Sequence, residues 1–172
     1  MKSKAALGTH PIHPLLVTLP VGAFSLVLLG DIGGLVTHDP FWYRFSFDCL
    51  AVGILSALVA ASVGLIDYLT VTMSAAGRRL ATIHMELNLS AVVLYIVDWW
   101  LRRNDGALGT NLWIPVVVLE IVALVVLGSS GWIGGKMTFK HKIGVVENAD
   151  PEATEIGRRG TAQRIIETAP SR

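Results

Sequence analysis

Four long apolar stretches dominate this sequence of 172 residues. A helix needs about 20 mainly apolar residues to cross a hydrocarbon core of ~30 Å. The stretches cover approximately residues 14–35, 48–69, 80–101 and 112–133. Turn-forming or charged segments separate them, at 37–40, 77–79 and 102–106. The pattern predicts an all-α integral membrane four-helix bundle.

Composition supports the same class. Hydrophobic residues make up 52% of the chain and charged residues 16%, whereas soluble domains carry about 25% charged residues. The formal net charge of +1 gives no reason to expect nucleic acid as a partner. Cys49 is the single cysteine, which excludes an intrachain disulfide, a thiolate metal cluster and covalent haem attachment.

The distribution of basic residues predicts the orientation in the bilayer. Four crossings place both chain ends and the second loop on one side. That side carries Lys2, Lys4, Arg78, Arg79, Lys136, Lys140 and Lys142, and the other side carries Arg44, Arg102 and Arg103. Because basic residues accumulate in cytoplasmic loops, we expect both termini in the cytoplasm. No signal-peptidase site follows the first stretch, so we expect it to be retained as the first span.

The predicted domain boundary lies near residue 146. Residues 1–146 form the expected transmembrane domain, and residues 147–172 form a polar tail that is flexible or a short helix. No internal repeat is evident from the sequence. Small residues recur at every fourth position at Gly53, Ala57 and Ala61, which predicts close helix packing within the bundle.

Four of the five histidines fall at one end of the predicted bundle. They are His10 and His13 at the start of the first span, His84 one turn into the third span, and His141 after the fourth. Neutral imidazole is the commonest metal ligand in proteins, and a haem with two axial imidazoles takes them from opposite faces. Bundles present such side chains from facing helices. His13 and His84 are expected at matching depth.

Two ligand chemistries stay open from this spacing. In the first, haem b is bound by histidines of this set, and Arg78 and Arg79 pair with its propionates. In the second, three or four imidazoles bind a zinc, copper or iron ion, with Glu86 as an oxygen ligand. The histidines could also be interfacial polar residues without a ligand, which is the interpretation for His38.

Acidic residues inside the spans are functional candidates, because charge at bilayer depth costs at least ~2.5 kcal/mol. Glu120 lies near the middle of the fourth predicted span and is expected to be buried and protonated. In the third span His84, Asn88, Ala91, Tyr95 and Asp98 share one helical face, which we expect to face the interior of the bundle. The proton-relay candidates are Glu120, Asp98, Tyr95 and Asn88. The alternative is hydrogen bonding between helices, and Asp31, Asp48 and Asp98 could equally be interfacial groups.

The sequence resembles a known family of bacterial membrane proteins. The resemblance rests on the segment from His10 to Val17 (HPIHPLLV), on His84 between Arg79 and Asn88, and on residues 131–137 (GWIGGKM) followed by His141. The family is catalogued as domain of unknown function twenty-two thirty-one. Lys142 stands where the family usually has glycine. The resemblance implies a four-helix membrane domain in a bacterial inner membrane with motif histidines at His10, His13, His84 and His141.

Some relatives in that family are joined to Rieske-type iron–sulfur domains, which implies membrane electron transfer with a redox partner on another chain. The leading hypothesis is therefore a membrane b-type cytochrome-like electron-transfer subunit, with a redox protein or a respiratory-type membrane complex as partner, rather than a stand-alone enzyme. The alternatives are a non-haem metal-binding membrane protein, a proton- or ion-translocating protein, and a cofactor-free accessory subunit of a larger complex.

Overall fold

The computed structural model describes residues 6–7, 10–105, 113–141 and 143, and the predicted tail at 147–172 lies outside the described residues. A short antiparallel pair, β1 (Ala6–Leu7) and β2 (His10–Pro11), precedes the helices. The helices are α1 (Ile12–Leu16), α2 (Thr18–Thr37), α3 (Pro40–Thr70), α4 (Ala75–Asp105) and α5 (Trp113–Phe139). Together α1 and α2 form the first of four described spans that are long and apolar enough to cross a membrane. The predicted fold class is confirmed.

The ends of the helices follow local chemistry. The helix is interrupted at Val17, because Pro20 has no N–H to donate and its ring crowds the carbonyl one turn earlier. His38 closes α2 in the left-handed conformation (φ 57°), and its N–H bonds to the Gly34 carbonyl. Asp39 then caps α3 by accepting from the Phe41 N–H at 2.8 Å, with Pro40 in the first turn. His38 thus has a structural place at a turn.

Two helical hairpins make up the bundle. In the first hairpin α2 packs along α3, in the second α4 packs along α5, and the contact between the hairpins is narrower. The buried core consists of Phe24, Val27, Leu50, Ala57, Tyr95 and Ala123. Many large apolar side chains face outward instead, such as Leu55 at 66% exposure and Val125 at 64%. Such a surface suits lipid, which solvates apolar side chains.

The helices extend beyond the predicted spans. The second begins at Pro40, eight residues before the expected start, and α4 contains both Arg78–Arg79 and Arg102–Arg103. The prediction that Arg102 lies in a loop was therefore wrong. Arg102 is buried in the last turns of α4, where it forms ion pairs with buried carboxyl groups.

The structure also reveals a repeat that the sequence did not show. Asp31 and Arg102 are 71 residues apart and form an ion pair. The same interval separates Phe24 from Tyr95, whose rings stack at 3.8 Å. It also separates His13 from His84, whose ring centroids lie 6.4 Å apart in an edge-to-face arrangement. Residues that contact their own equivalents lie on a two-fold axis. The two hairpins are therefore related by a pseudo-two-fold axis that runs along the bundle, and they form a parallel repeat.

Burial in α3 and α5 follows the same repeat. Four buried residues of α3 are each followed 70 residues later by a buried residue of α5, an interval one residue shorter than that between α2 and α4. They are Ser46, Leu50, Gly53 and Ala60 in α3, and Val116, Glu120, Ala123 and Ser130 in α5. Few of the equivalent residues are identical. Among the identical ones, Ile12 and His13 correspond to Ile83 and His84, and Gly64 corresponds to Gly134. The sequence concealed the repeat because only burial and position, not residue identity, were kept.

Candidate functional site

His13 is held by the helix that follows it in the first hairpin. Its Nδ1 lies 2.9 Å from the Ala60 carbonyl oxygen in α3. The ring covers Gly64, one turn further along, where an added Cβ would lie 2.8 Å from the His13 Cε1. Because a carbonyl oxygen can only accept a hydrogen bond, Nδ1 must carry the proton and donate it to Ala60. The lone pair of Nε2 takes no part in that bond.

His84 is held in the same way within the second hairpin. Its Nδ1 lies 2.9 Å from the Ser130 carbonyl oxygen in α5, and the ring lies against Gly134, whose added Cβ would approach Cε1 to 3.1 Å. The Ser130 hydroxyl donates to the His84 carbonyl at 3.1 Å. Unlike in His13, Nε2 has a neighbour on its own helix, because the Asn88 amide donates to it at 3.0 Å.

The two rings form what we call the histidine pair, His13 and His84. Their centroids are 6.4 Å apart and their planes are nearly perpendicular, at 88°. Imidazoles that share one metal ion, each about 2 Å from it, have centroids about 6 Å apart. Metal-ligating histidines commonly donate the other ring N–H to a backbone carbonyl, which fixes tautomer and ring orientation. Both rings have this arrangement.

The structure brings together two of the four predicted ligands. The side chain of His10 lies outside the described residues. His141 follows α5 in a turn, its N–H bonded to the Lys136 carbonyl, and none of its described contacts joins it to the pair. Within the described part of the chain, no group of three or more His, Cys, Asp or Glu side chains is placed to hold a metal ion.

The remaining predicted ligand partners lie on the surface at the same end. Arg78 is exposed, donates to the Tyr68 carbonyl at 3.3 Å and lies over the Tyr68 ring. Arg79 and Glu86 are also exposed. Exposed arginines on the first turns of α4 are accessible to an anionic group. That role remains a prediction.

At the opposite end of the bundle, Arg102 lies among three carboxyl groups. It donates from Nε to Asp98 at 2.9 Å, from Nη1 to Asp31 at 2.9 Å, and from Nη2 to Asp31 and Glu120. All four side chains are at most 3% exposed. We call these four residues the Arg102 cluster. Glu120 is thus buried, as predicted, and lies about two turns from the start of α5.

Three buried polar atoms near the cluster have no hydrogen-bond partner within the described residues. They are the Asp98 Oδ2, the Glu120 Oε2 and the Tyr95 hydroxyl. Tyr95 precedes Asp98 by about one turn on the same face of α4. Buried polar atoms are seldom left unpaired, so each of these calls for a proton, a water molecule or another partner.

The predicted polar face of α4 points inward, which confirms that part of the sequence analysis. Ala91, Tyr95 and Asp98 are fully buried, and Asn88 and His84 are partly so. The face is not a continuous chain of polar groups. Two turns, about 10 Å, separate Asn88 from Tyr95, and Ala91 lies between them within the apolar core. The histidine pair and the Arg102 cluster are therefore separate sites about 25 Å apart along α4.

Sequence reasoning missed several site residues. Arg102 was taken for a loop residue, Asp31 was left open between a functional and an interfacial group, and Ser130 was not singled out. Asp48, treated in the same way as Asp31, is exposed. The sequence did contain a signal that could have identified them, an interval of 71 residues that separates His13 from His84 and Asp31 from Arg102. The repeated histidine gives the register of the repeat, and that register pairs Asp31 with Arg102.

Comparison with known proteins bears on the family alone. A comparison with curated proteins and one with solved structures gave no match. The family described as predicted membrane protein (DUF2231) matches residues 9–147. The match contains the four described spans, the histidine pair and the Arg102 cluster. Since it covers well over half of the chain, the protein belongs to the DUF2231 family of predicted membrane proteins.

Proposed function

We propose that this protein is an electron-transfer subunit of the bacterial inner membrane that binds non-covalent haem b through His13 and His84. The observation that carries the proposal is the matched environment of the two rings. Each donates its Nδ1 proton to a carbonyl of the following helix, at 2.9 Å in both cases. Each also lies against a glycine. Two imidazoles related in this way suit a metal centre with two axial ligands.

The donor set fits haem better than a bare ion. A closed zinc site takes four protein ligands, and the described residues bring together two imidazoles without a third His, Cys, Asp or Glu. In haem the porphyrin supplies the remaining four ligands, so two histidines are enough. Once bound, haem would supply reversible one-electron transfer.

The chain's own residues would tune such a group. Ser130 and Ala60 hold the ring orientations, and hydrogen bonds to the far nitrogen raise the basicity of a ligating imidazole. Asn88 opposes ligation, because its amide now occupies the His84 Nε2 at 3.0 Å and must turn away. The exposed Arg78 and Arg79 lie at the same end and would pair with propionates. A redox protein or a respiratory-type complex would be the partner.

The test is the absorption spectrum of the protein purified in mild detergent after expression with added haem precursor. We expect a Soret band, with α and β bands that sharpen on reduction by dithionite. H13A and H84A should each abolish the low-spin spectrum, while H38A, at a turn on the other side, should leave it unchanged. A colourless protein would overturn the proposal. Metal analysis of that preparation would then show whether an ion uses the same histidines.

A further inference from the structure

The Arg102 cluster contains more acid than its base can balance. One guanidinium faces three carboxyl groups, so with every group ionised the cluster would carry a net charge of −2. Burying an unbalanced charge costs several kcal/mol per ion. The other described arginines at this end, Arg44 and Arg103, are exposed, so neither contributes a buried positive charge.

The pseudo-two-fold repeat identifies which carboxyl groups are surplus. Asp31 and Arg102 are equivalent positions and form an ion pair with two hydrogen bonds across the hairpin interface. That pair is neutral, and both oxygens of Asp31 are hydrogen-bonded in it. Asp98 is the equivalent of Val27, and Glu120 is the equivalent of Leu50. Val27 and Leu50 are both fully buried. An apolar side chain therefore fits each position, and the second hairpin has an acid there instead.

The hydrogen bonds show where protons would sit. Asp31 receives a bond from Arg102 on each of its oxygens. Asp98 and Glu120 each receive one such bond, on Oδ1 and Oε1. Their second oxygens, Asp98 Oδ2 and Glu120 Oε2, are buried without a partner in the described residues. A protonated carboxyl group is neutral and carries its proton on one oxygen, so these two atoms are the vacant positions.

We propose that the Arg102 cluster is a proton-binding site, in which Asp98 and Glu120 each hold a proton at neutral pH and ionised Asp31 balances Arg102. Binding converts a carboxylate and a hydronium ion to a carboxylic acid and water, so the cluster takes up two protons in reaching neutrality. The cluster lies within about two helical turns of the ends of α2 and α4 and of the start of α5.

The groups that face the two acids come from three helices. They are Asp31 from α2, Arg102 and the Tyr95 hydroxyl from α4, and the acids themselves from α4 and α5. From α3 the Ser46 hydroxyl is buried in the same region, but it donates to the Val27 carbonyl at 3.1 Å. Asp48 of α3 is exposed. It therefore provides a matched control, a carboxyl group on a neighbouring helix that is exposed and lies outside the cluster.

The first experiment counts protons released when the protein is unfolded in dodecyl sulfate at pH 7 in weak buffer with an indicator dye. Exposed Asp and Glu titrate near pH 4, so any proton held in the cluster is released on unfolding. Wild type should release about two protons more than the D98N/E120Q double variant. Wild type and D48N should release the same number. A difference of one proton or less between wild type and the double variant would overturn the proposal.

The second experiment distinguishes proton binding from a purely structural role. Infrared spectra at neutral pH should show the carbonyl stretch of protonated carboxylic acids, reduced in D98N and in E120Q and unchanged in D48N. Because an amide imitates a protonated acid, D98N and E120Q should unfold at the wild-type dodecyl sulfate fraction, whereas D31N should unfold earlier. An absent band, or instability of D98N and E120Q equal to that of D31N, would contradict the assignment. These readouts need no haem and are independent of the proposed function.

Discussion

The histidine pair and the Arg102 cluster are built at opposite ends of one pseudo-two-fold interface, and they use the repeat in opposite ways. At the first end equivalent positions carry the same residue, held by equivalent partners. At the second end equivalent positions carry opposite charges, Asp31 and Arg102. Two identical neutral side chains can share one ligand across an axis. Two identical charges would repel each other, so an ion pair on the axis requires the two halves to differ.

In the middle of the interface, the equivalent residues are alike in their aromatic rings but differ in one polar group. Phe24 and Tyr95 are equivalent and stack with a centroid distance of 3.8 Å. Tyr95 adds a hydroxyl toward the end where the symmetry is broken, and that hydroxyl has no partner within the described residues. The apolar stack separates the two sites, so each can be altered without altering the other.

The largest expected effect comes from removing the charge that joins the hairpins. R102L would leave Asp31 buried without a partner, and breaking a buried pair in this way costs about 3–5 kcal/mol. The free energy of unfolding, measured by dodecyl sulfate titration in mixed micelles, should fall by this amount. R103L, one residue later on the exposed face of α4, should change it by less than about 1 kcal/mol. Equal effects of the two substitutions would mean that the cluster does not hold the hairpins together.

A smaller effect should follow from filling the space beside a histidine ring. G64A places a Cβ 2.8 Å from the His13 Cε1, so the ring must move, at a cost of about 1–3 kcal/mol. G134A is expected to cost less, because its Cβ would lie 3.1 Å from the His84 ring. G128A, where an added Cβ meets nothing within 4 Å, is the control. Thermal unfolding in detergent would rank the three, and G64A as stable as G128A would contradict the close packing.

The asymmetry of the histidine pair provides a third test, which rests on the proposed function. N88A removes the amide that occupies the His84 Nε2, so ligation no longer has to break that bond, worth about 1 kcal/mol. Haem affinity, followed by titration of the Soret band, should rise about fivefold. S90A, on the exposed side of the same helix, should have no effect. Weaker haem binding by N88A would mean that Asn88 supports the bound state.

The smallest effect concerns the central stack. Y95F makes the central pair identical, like the histidines, and deletes a buried hydroxyl without a partner. Because an unsatisfied buried group is unfavourable, the free energy of unfolding should stay the same or increase by up to about 1 kcal/mol. Equilibrium unfolding against wild type would measure it. A clear loss of stability would show that the hydroxyl donates to a neighbour such as an ordered water molecule.

Much of this fold follows from local properties that a sequence displays directly. Four apolar segments of membrane length define the spans, because each helix must satisfy its backbone hydrogen bonds within itself and meet lipid with apolar side chains. The 3.6-residue period placed Tyr95 and Asp98 on an inward face. The positions of His13 and His84 near span starts put both at one end. Each inference needs only the neighbours of a residue along the chain.

Only the tertiary structure determined the contacts between the two hairpins. Arg102 stands in a charged run that is typical of a loop, and it is buried because Asp31 and Glu120, far away in sequence, compensate its charge. His141 was expected among the ligands from the sequence, yet its described contacts do not join it to His13 and His84. The pseudo-two-fold repeat was hidden because packing keeps burial and position while residue identity drifts. Hydropathy determines which segments enter the membrane, whereas the compensation of buried charge depends on which helices meet, and that is a property of the assembled bundle.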